Sequence, residues 1–284
     1  LQLPPFLLSH GVETATEQTW ARLAWDEDNL YIFLECFESV LDPILQQQAA
    51  FKATQTAHDS NVFEDDSVEV FLQPSPEQAV YYHIAANSLG TVYDARCPEA
   101  GSYETGWDSG VAVGTQVGEK SWTVEMAIPR QSLTDGVFGP DDYWRVNICR
   151  SEKPAGEHSC WSPTGGPFHT PERFGLVAFG PPAIGGGTVD LGGLRKGPNR
   201  LQLAFSNAGP EPSAVTVIAA VTAGEGAAEV GRTSTRVDAG ATETPLVEYT
   251  APPGDGFLRY EVYQDDRVVL LSPGYPLRTE TPFV

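Results

Sequence analysis

Short runs of alternating apolar and polar residues, each closed by turn formers, recur along almost the whole chain and leave little room for helices. Side chains that alternate with a period of two belong to β-strands lying on a core. The run from Val62 to Pro74, VFEDDSVEVFLQP, shows the pattern most clearly. Asp66, Val68, Val70 and Leu72 share one side of it, and Ser67, Glu69 and Phe71 share the other. An aliphatic side against a carboxylate-bearing side predicts a sheet with one face buried and the other open for work. The acidic residues Glu64, Asp65 and Asp66 stand where the chain enters this strand.

The same reading extends in both directions. Trp20 to Ala24 and Leu30 to Phe37 flank the turn-rich WDEDN and form a hairpin. Val80 to Asn87 and Thr91 to Arg96 form a second hairpin around Ser88, Leu89 and Gly90. If that hairpin closes tightly, His83 shares a face with Asp94 and Arg96. Gly110 to Val117 pairs with Ser121 to Pro129, where Trp122, Val124, Met126 and Ile128 alternate toward a core. QSLTDG reads as one helical turn, WRVNICR as a strand, and Glu152 to Thr170 as a long irregular loop. Asp42 to His58 holds a short helix or an ordered loop. Trp25, Trp122 and Trp144 lie inside strand patterns and are read as core.

Gly180 to Gly187, GPPAIGGG, reads as a boundary rather than the interior of an element. Beyond it the chain again alternates in strand-length runs without any recognisable chemistry. The predicted architecture is therefore all-β. An antiparallel β-sandwich spans residues 1–180 and a second, immunoglobulin-like sandwich spans 181–284, lacking the Cys–Trp–Cys signature. At 284 residues the chain is long enough for two cores.

A formal charge of −21 and a pI near 4.4 argue against a nucleic-acid partner, whose phosphates would be repelled. They suit divalent cations and neutral ligands such as sugars. No apolar run is long enough to span a membrane. The opening LQLPPFLLSHG lacks the features of an export signal. Four cysteines lack the paired spacing of a zinc site. Cys36 and Cys149 read as buried thiols, whereas Cys97 and Cys160, beside turns, can pair if their loops meet.

No nucleophile elbow, zinc-protease motif or phosphate loop occurs, so the chain is read as not being an enzyme. His158 beside Ser159 and Cys160 is weak evidence for a nucleophile and base, because adjacent residues rarely face one another. Trp161, in the late loop, has two readings. It stacks on a sugar face, as exposed aromatic rings do, or it packs on its own loop. Glu69 and Arg96 can hydrogen-bond sugar hydroxyls.

The ordered series WDEDNLYIFLECFE, FEDDSVEVFLQP, YYHIAANSLG, SWTVEMAIP, WRVNICR, SCWSP and FHTPERFG, from about Trp20 to Phe179, resembles the family 9 carbohydrate-binding modules and family-9-like domains. The resemblance implies a sugar-binding β-sandwich that often holds structural calcium, with sugar held between two tryptophans. Phe63 stands where one of those tryptophans is expected and Trp161 where the other is. Glu69 matches the strand glutamate and Arg96 the hairpin arginine. Where the second strand usually ends in Asp, this chain has Glu38.

The resulting expectations are a non-catalytic carbohydrate-binding module of an exported, polysaccharide-processing protein, or a structural domain of a larger secreted protein with no sugar ligand. Phe63, Glu69, His83, Asp94, Arg96 and Trp161 are the expected contacts to an oligo- or polysaccharide. Glu38, Asp65 and Asp66 are the expected ligands of Ca²⁺, a hard ion suited to carboxylate oxygens. Further partners are other domains of a larger parent chain.

Overall fold

The computed structural model describes residues 3, 5–10, 13–38, 51–136, 138, 143–179, 184–223, 226–254, 256–264, 267–272 and 274–277. It divides into two compact units, Leu1–Gly175 and Leu176–Val284. Strands pair antiparallel in both units, so the fold class expected from the alternation is the one found. Of the stretch expected to hold a helix or loop before the long strand, residues 42–50 lie outside the described residues.

The first unit holds two sheets. One runs β2 (Thr19–Trp25), β3 (Asn29–Phe37), β8 (Ser121–Pro129) and β7 (Ala112–Val117). Its inner face is Ala21 and Leu23 of β2, Leu30, Ile32, Leu34 and Cys36 of β3, and Trp122, Val124, Met126 and Ile128 of β8, all buried. The β2–β3 turn closes on Asp26, whose carboxylate accepts the Asp28 and Asn29 amides. QSL falls in the single helical turn α1 (Arg130–Leu133). The other sheet runs β1 (Leu7–Leu8), β10 (His158–Cys160), β9 (Tyr143–Ser151), β4 (Ser67–Gln73), β5 (Tyr81–Asn87) and β6 (Val92–Cys97). Trp122 and Trp144 are core as expected, and Trp25, at the end of β2, is half-buried.

Two expectations about this sheet need correcting. The first concerns β4, every residue of which is buried. Val68, Val70 and Leu72 face the core as the alternation predicts. The Glu69 and Phe71 side is not open, because it lies beneath the late loop. Phe71, Tyr81, Cys97, Cys149, Cys160 and Phe174 form a small apolar cluster there, with Phe168 against it. Glu69 itself is 5% exposed.

The second concerns the β5–β6 hairpin. It closes through the three residues Ser88, Leu89 and Gly90, with Gly90 left-handed at φ 82°, which glycine adopts without steric cost. The register then pairs Ile84 with Asp94 and Tyr82 with Arg96. A one-residue change of register turns every side chain to the other face. His83 accordingly shares its face with Tyr93 and Ala95, and Asp94 and Arg96 point to the opposite side.

The second unit is also a two-sheet sandwich. β14 (Ser213–Ala223) pairs with β15 (Gly226–Val237) and β18 (Phe257–Gln264), β18 with β19 (Arg267–Leu271), and β19 with β11 (Gly175–Ala178). Facing them, β13 (Gly197–Asn207) pairs with β12 (Ile184–Asp190), β16 (Thr242–Glu243) and β17 (Leu246–Ala251). Leu201, Leu203, Phe205, Val217, Val247 and Val262 lie in the core they share. The glycine run read as a boundary lies inside β12. A Cβ on Gly186 would collide with the Ala204 carbonyl and the Phe205 ring, so glycine is what lets this strand approach β13.

Candidate functional site

Glu69, near the middle of β4, lies on the floor of a cleft of about 690 Å³ in the first unit. Its carboxylate accepts the Ser151 hydroxyl at 3.3 Å and stands 3.0 Å from His83 Nε2. That contact is a charge-pair distance, off the line that a hydrogen bond requires, since His83 Nε2 has no hydrogen-bond partner. His83 is held by rings: Phe71 stacks on it at 4.4 Å, with Tyr93 at 5.3 Å and His169 at 4.8 Å. His169 Nδ1 is 2.8 Å from the Tyr81 hydroxyl. Phe63, Tyr103, Phe168, His158 and His10 complete the walls. Phe63 is set by the short helical turn Val62–Glu64, where its ring meets Tyr93 edge-on at 5.4 Å.

Four of the five histidines of the chain line this cleft, and Glu69 is the one carboxylate among its lining residues. Burial alone would raise Glu69, but His83, His169 and Ser151 together outweigh it and hold the carboxyl below its ordinary range. Burial, helped by neighbouring His83, pushes His169 down to about 4, so the ring is neutral at pH 7. Burial also lowers His158 and raises Tyr93 to about 12. The floor therefore offers an ionised acceptor and imidazole groups with donor and acceptor nitrogens. Partly exposed aromatic rings stand around it. Such a combination takes a ligand with hydroxyls on its edges and apolar faces. A glycosidase needs two carboxyl groups across the scissile bond, and among the described residues this cleft is lined by one.

Of the residues expected to contact sugar, the structure brings together Phe63, Glu69 and His83. Asp94, turned away by the hairpin register, accepts the Ser109 amide and hydroxyl. Arg96 is on the surface, paired with Glu104 at 2.7 Å. Trp161 does not face Phe63: it is 6% exposed and packs over Gly175, where a Cβ would stand 2.6 Å from its ring. Its amide donates to the Ile148 carbonyl, which draws the start of the loop down onto β9 and takes the ring with it. Tyr103, His158, Phe168, His169 and His10 were missed. They come from segments distant in sequence, and only Phe168 and His169 lay in a run, FHTPERFG, that the family resemblance had picked out.

The expected calcium ligands divide as well. Glu38 and Asp66 come together with Glu152, all buried, with one carboxylate oxygen from each within 4.8 Å of the others. Asp65 is not in this group. Its oxygens accept the Thr54 and Gln55 amides, the Thr54 hydroxyl and the Asn87 side chain, clasping the 51–61 loop to the hairpin. Those donors outweigh burial and hold Asp65 below the usual carboxylate range. Asp66 is raised, chiefly by burial, despite the Lys153 and Lys52 amides it accepts. Three buried carboxylates crowded together, one of them raised, are a donor set that fits a hard divalent cation.

All four cysteines are free and buried. Cys160 stands opposite Cys149 on the paired strands β9 and β10 rather than bridging to Cys97. Met126, the sole methionine, is core. Among the described residues no helix is long and apolar enough to cross a membrane.

The model of the family described as "Carbohydrate family 9 binding domain-like" matches residues 4–178. No curated protein matches the sequence. Among solved structures, a candidate carbohydrate-binding protein from Bacteroides uniformis is 19% identical with a TM-score of 0.52, covering 63% of this chain and 86% of its own. Family 9 carbohydrate-binding modules from Caldicellulosiruptor kristjanssonii, solved with glucose and with cellotriose, are 16% and 17% identical. Their TM-scores are 0.43 and 0.44, each covering 62% of this chain and 83% and 82% of their own.

Proposed function

The chain belongs to the carbohydrate family 9 binding domain-like family, and from that premise we propose that its Glu69 cleft binds saccharides without chemical turnover. The observation that carries the reading is a single buried, ionised carboxylate beside His83, at the floor of a cleft walled by Phe63, Tyr103 and Phe168. A pyranose would lay its C–H face on one of these rings and give hydroxyl protons to Glu69. His83 and His169 would supply further hydrogen bonds.

The same reading makes this unit an accessory domain of an exported, polysaccharide-processing protein, with the second sandwich as a spacer or packing partner. Glu38, Asp66 and Glu152 would hold Ca²⁺ from its buried side and join β3, β4 and the segment after β9. The ion would add its charge to that of Arg150, which already acts on Asp66, among three buried carboxylates.

One observation favours a second reading, a structural or interaction domain with no sugar ligand: Trp161 is buried and packs over Gly175 instead of facing the cleft. Glycan-array screening with calcium present separates the two. Binding to a set of related oligosaccharides supports the first, and no binding to any plant, algal or microbial glycan overturns it.

A further inference from the structure

Away from the cleft, the opposite face of β6 carries a cluster that sugar binding does not use. We propose that His58, Asp94 and Asp108 form a site for a first-row divalent transition-metal ion such as zinc. One potential ligand atom from each lies within 4.8 Å of the others. A tetrahedral ion with bonds of about 2.0–2.1 Å holds its ligands about 3.4 Å apart. The two surface side chains, His58 and Asp108, need only close in on Asp94.

Asp94 points to a missing partner. It is completely buried. One carboxylate oxygen accepts both the Ser109 amide and hydroxyl, and the other, Oδ1, is buried with no hydrogen-bond partner. A buried carboxylate oxygen left bare is costly, and a cation between Asp94, His58 and Asp108 would satisfy it.

The neighbouring residues already hold the candidate ligands. Asp59 has its Oδ2 3.2 Å from His58 Nδ1, and its Oδ1 accepts the Asp94 amide at 3.4 Å. A carboxylate on a ligating imidazole is the usual device that fixes the ring. Asp59 is itself left-handed at φ 61° and is tied to β6 by its amide, which donates to the Val92 carbonyl. Asp108 accepts the Gly110 amide, which orients its carboxylate on the irregular segment leading to β7.

The donor set selects the ion. An imidazole nitrogen with two carboxylates suits zinc and its neighbours, whereas calcium prefers oxygen alone. This distinguishes the cluster from the all-carboxylate group of Glu38, Asp66 and Glu152. Occupancy would tie the loop before Phe63 to the loop that carries Tyr103, so the ion would brace two walls of the cleft.

Calorimetric titration of the full chain with Zn²⁺, in millimolar Ca²⁺ to keep the all-carboxylate cluster occupied, tests the site. His58→Ala and Asp108→Asn alter surface side chains and leave the buried Asp94 in place. The expected result is a zinc site in the native chain that each variant weakens at least ~10-fold, the scale on which even a ligand's hydrogen-bond partner acts. Co²⁺ in place of zinc should give visible absorption that His58→Ala abolishes. Zinc binding of equal affinity and stoichiometry in all three chains overturns the proposal, as does no binding by the native chain. Neither outcome depends on whether the cleft binds sugar.

Discussion

Replacing Trp161 with alanine should cost stability and leave the cleft intact. The ring is 6% exposed, so folding removes about 200 Å² of it from water, worth about 5 kcal/mol at ~25 cal/mol per Å². That figure is an upper bound, because the unfolded chain already buries part of the ring. Its indole Nε1 is buried without a partner, a penalty of about 1–3 kcal/mol that removal would relieve. The net expectation is a loss of about 3 kcal/mol, at the lower end of the range for large aromatic truncations. Trp161→Phe keeps most of the packing and discards the unpaired N–H, so it should lose less than about 1 kcal/mol. Urea unfolding of the full chain followed by circular dichroism reads both, in the transition assigned to the first unit. A loss below about 1 kcal/mol for Trp161→Ala, with saccharide affinity falling instead, would refute the reasoning and restore Trp161 as a binding wall.

Glu69→Gln should weaken the binding of any saccharide at least ~10-fold in calorimetry, since a hydrogen bond to a charged acceptor is worth about 1.5–3 kcal/mol; unchanged affinity would place the ligand elsewhere. The His169 pKa is depressed to about 4 in the folded chain from 6.5. Its contribution to stability is therefore complete above pH 6.5 and lost as pH falls from there through 4. The thermal midpoint should decline across that window, and His169→Gln should flatten the decline. Burial pushes Cys36 and Cys97 up to about 11, raises Cys149 well above the ordinary thiol range and encloses Cys160. A thiol reagent at pH 8 should leave the native chain untouched and titrate four thiols after denaturation. Chelation should lower the unfolding midpoint through the Glu38–Asp66–Glu152 cluster, and Asp66→Asn should remove that sensitivity.

The parts that were legible in the sequence are those set by local patterning. Trp122, Val124, Met126 and Ile128 alternate inward because a half-buried strand has a period of two, and the structure buries all four. Glu69 stood out by the same logic, whereas Phe63 stood out only through the resemblance to family 9 modules. The parts that were not legible depend on how segments distant in sequence cover one another. Nothing near Phe71 reveals that the late loop closes over it, bringing His169 and Phe168 to Glu69. The β5–β6 face turned on a single count: a three-residue connection pairs Ile84 with Asp94, whereas a tight closure would have put Asp94 beside His83. Glu152 lies 86 residues after Asp66 in the chain, and only β4–β9 pairing makes it a companion of that carboxylate. The glycines of β12 were read as a break because glycine interrupts strands in general. Here the close approach of β13 requires one.

The most direct test of the central claim is a crystal structure of the chain with the saccharide that binds it most tightly. The account predicts a sugar ring against Phe63, Tyr103 or Phe168 with a hydroxyl donating to Glu69. A sugar seated instead in the depression of about 700 Å³ around Tyr31, Phe33 and Glu125 on the outer face of the β2–β3–β8–β7 sheet, with the Glu69 cleft empty, would contradict it.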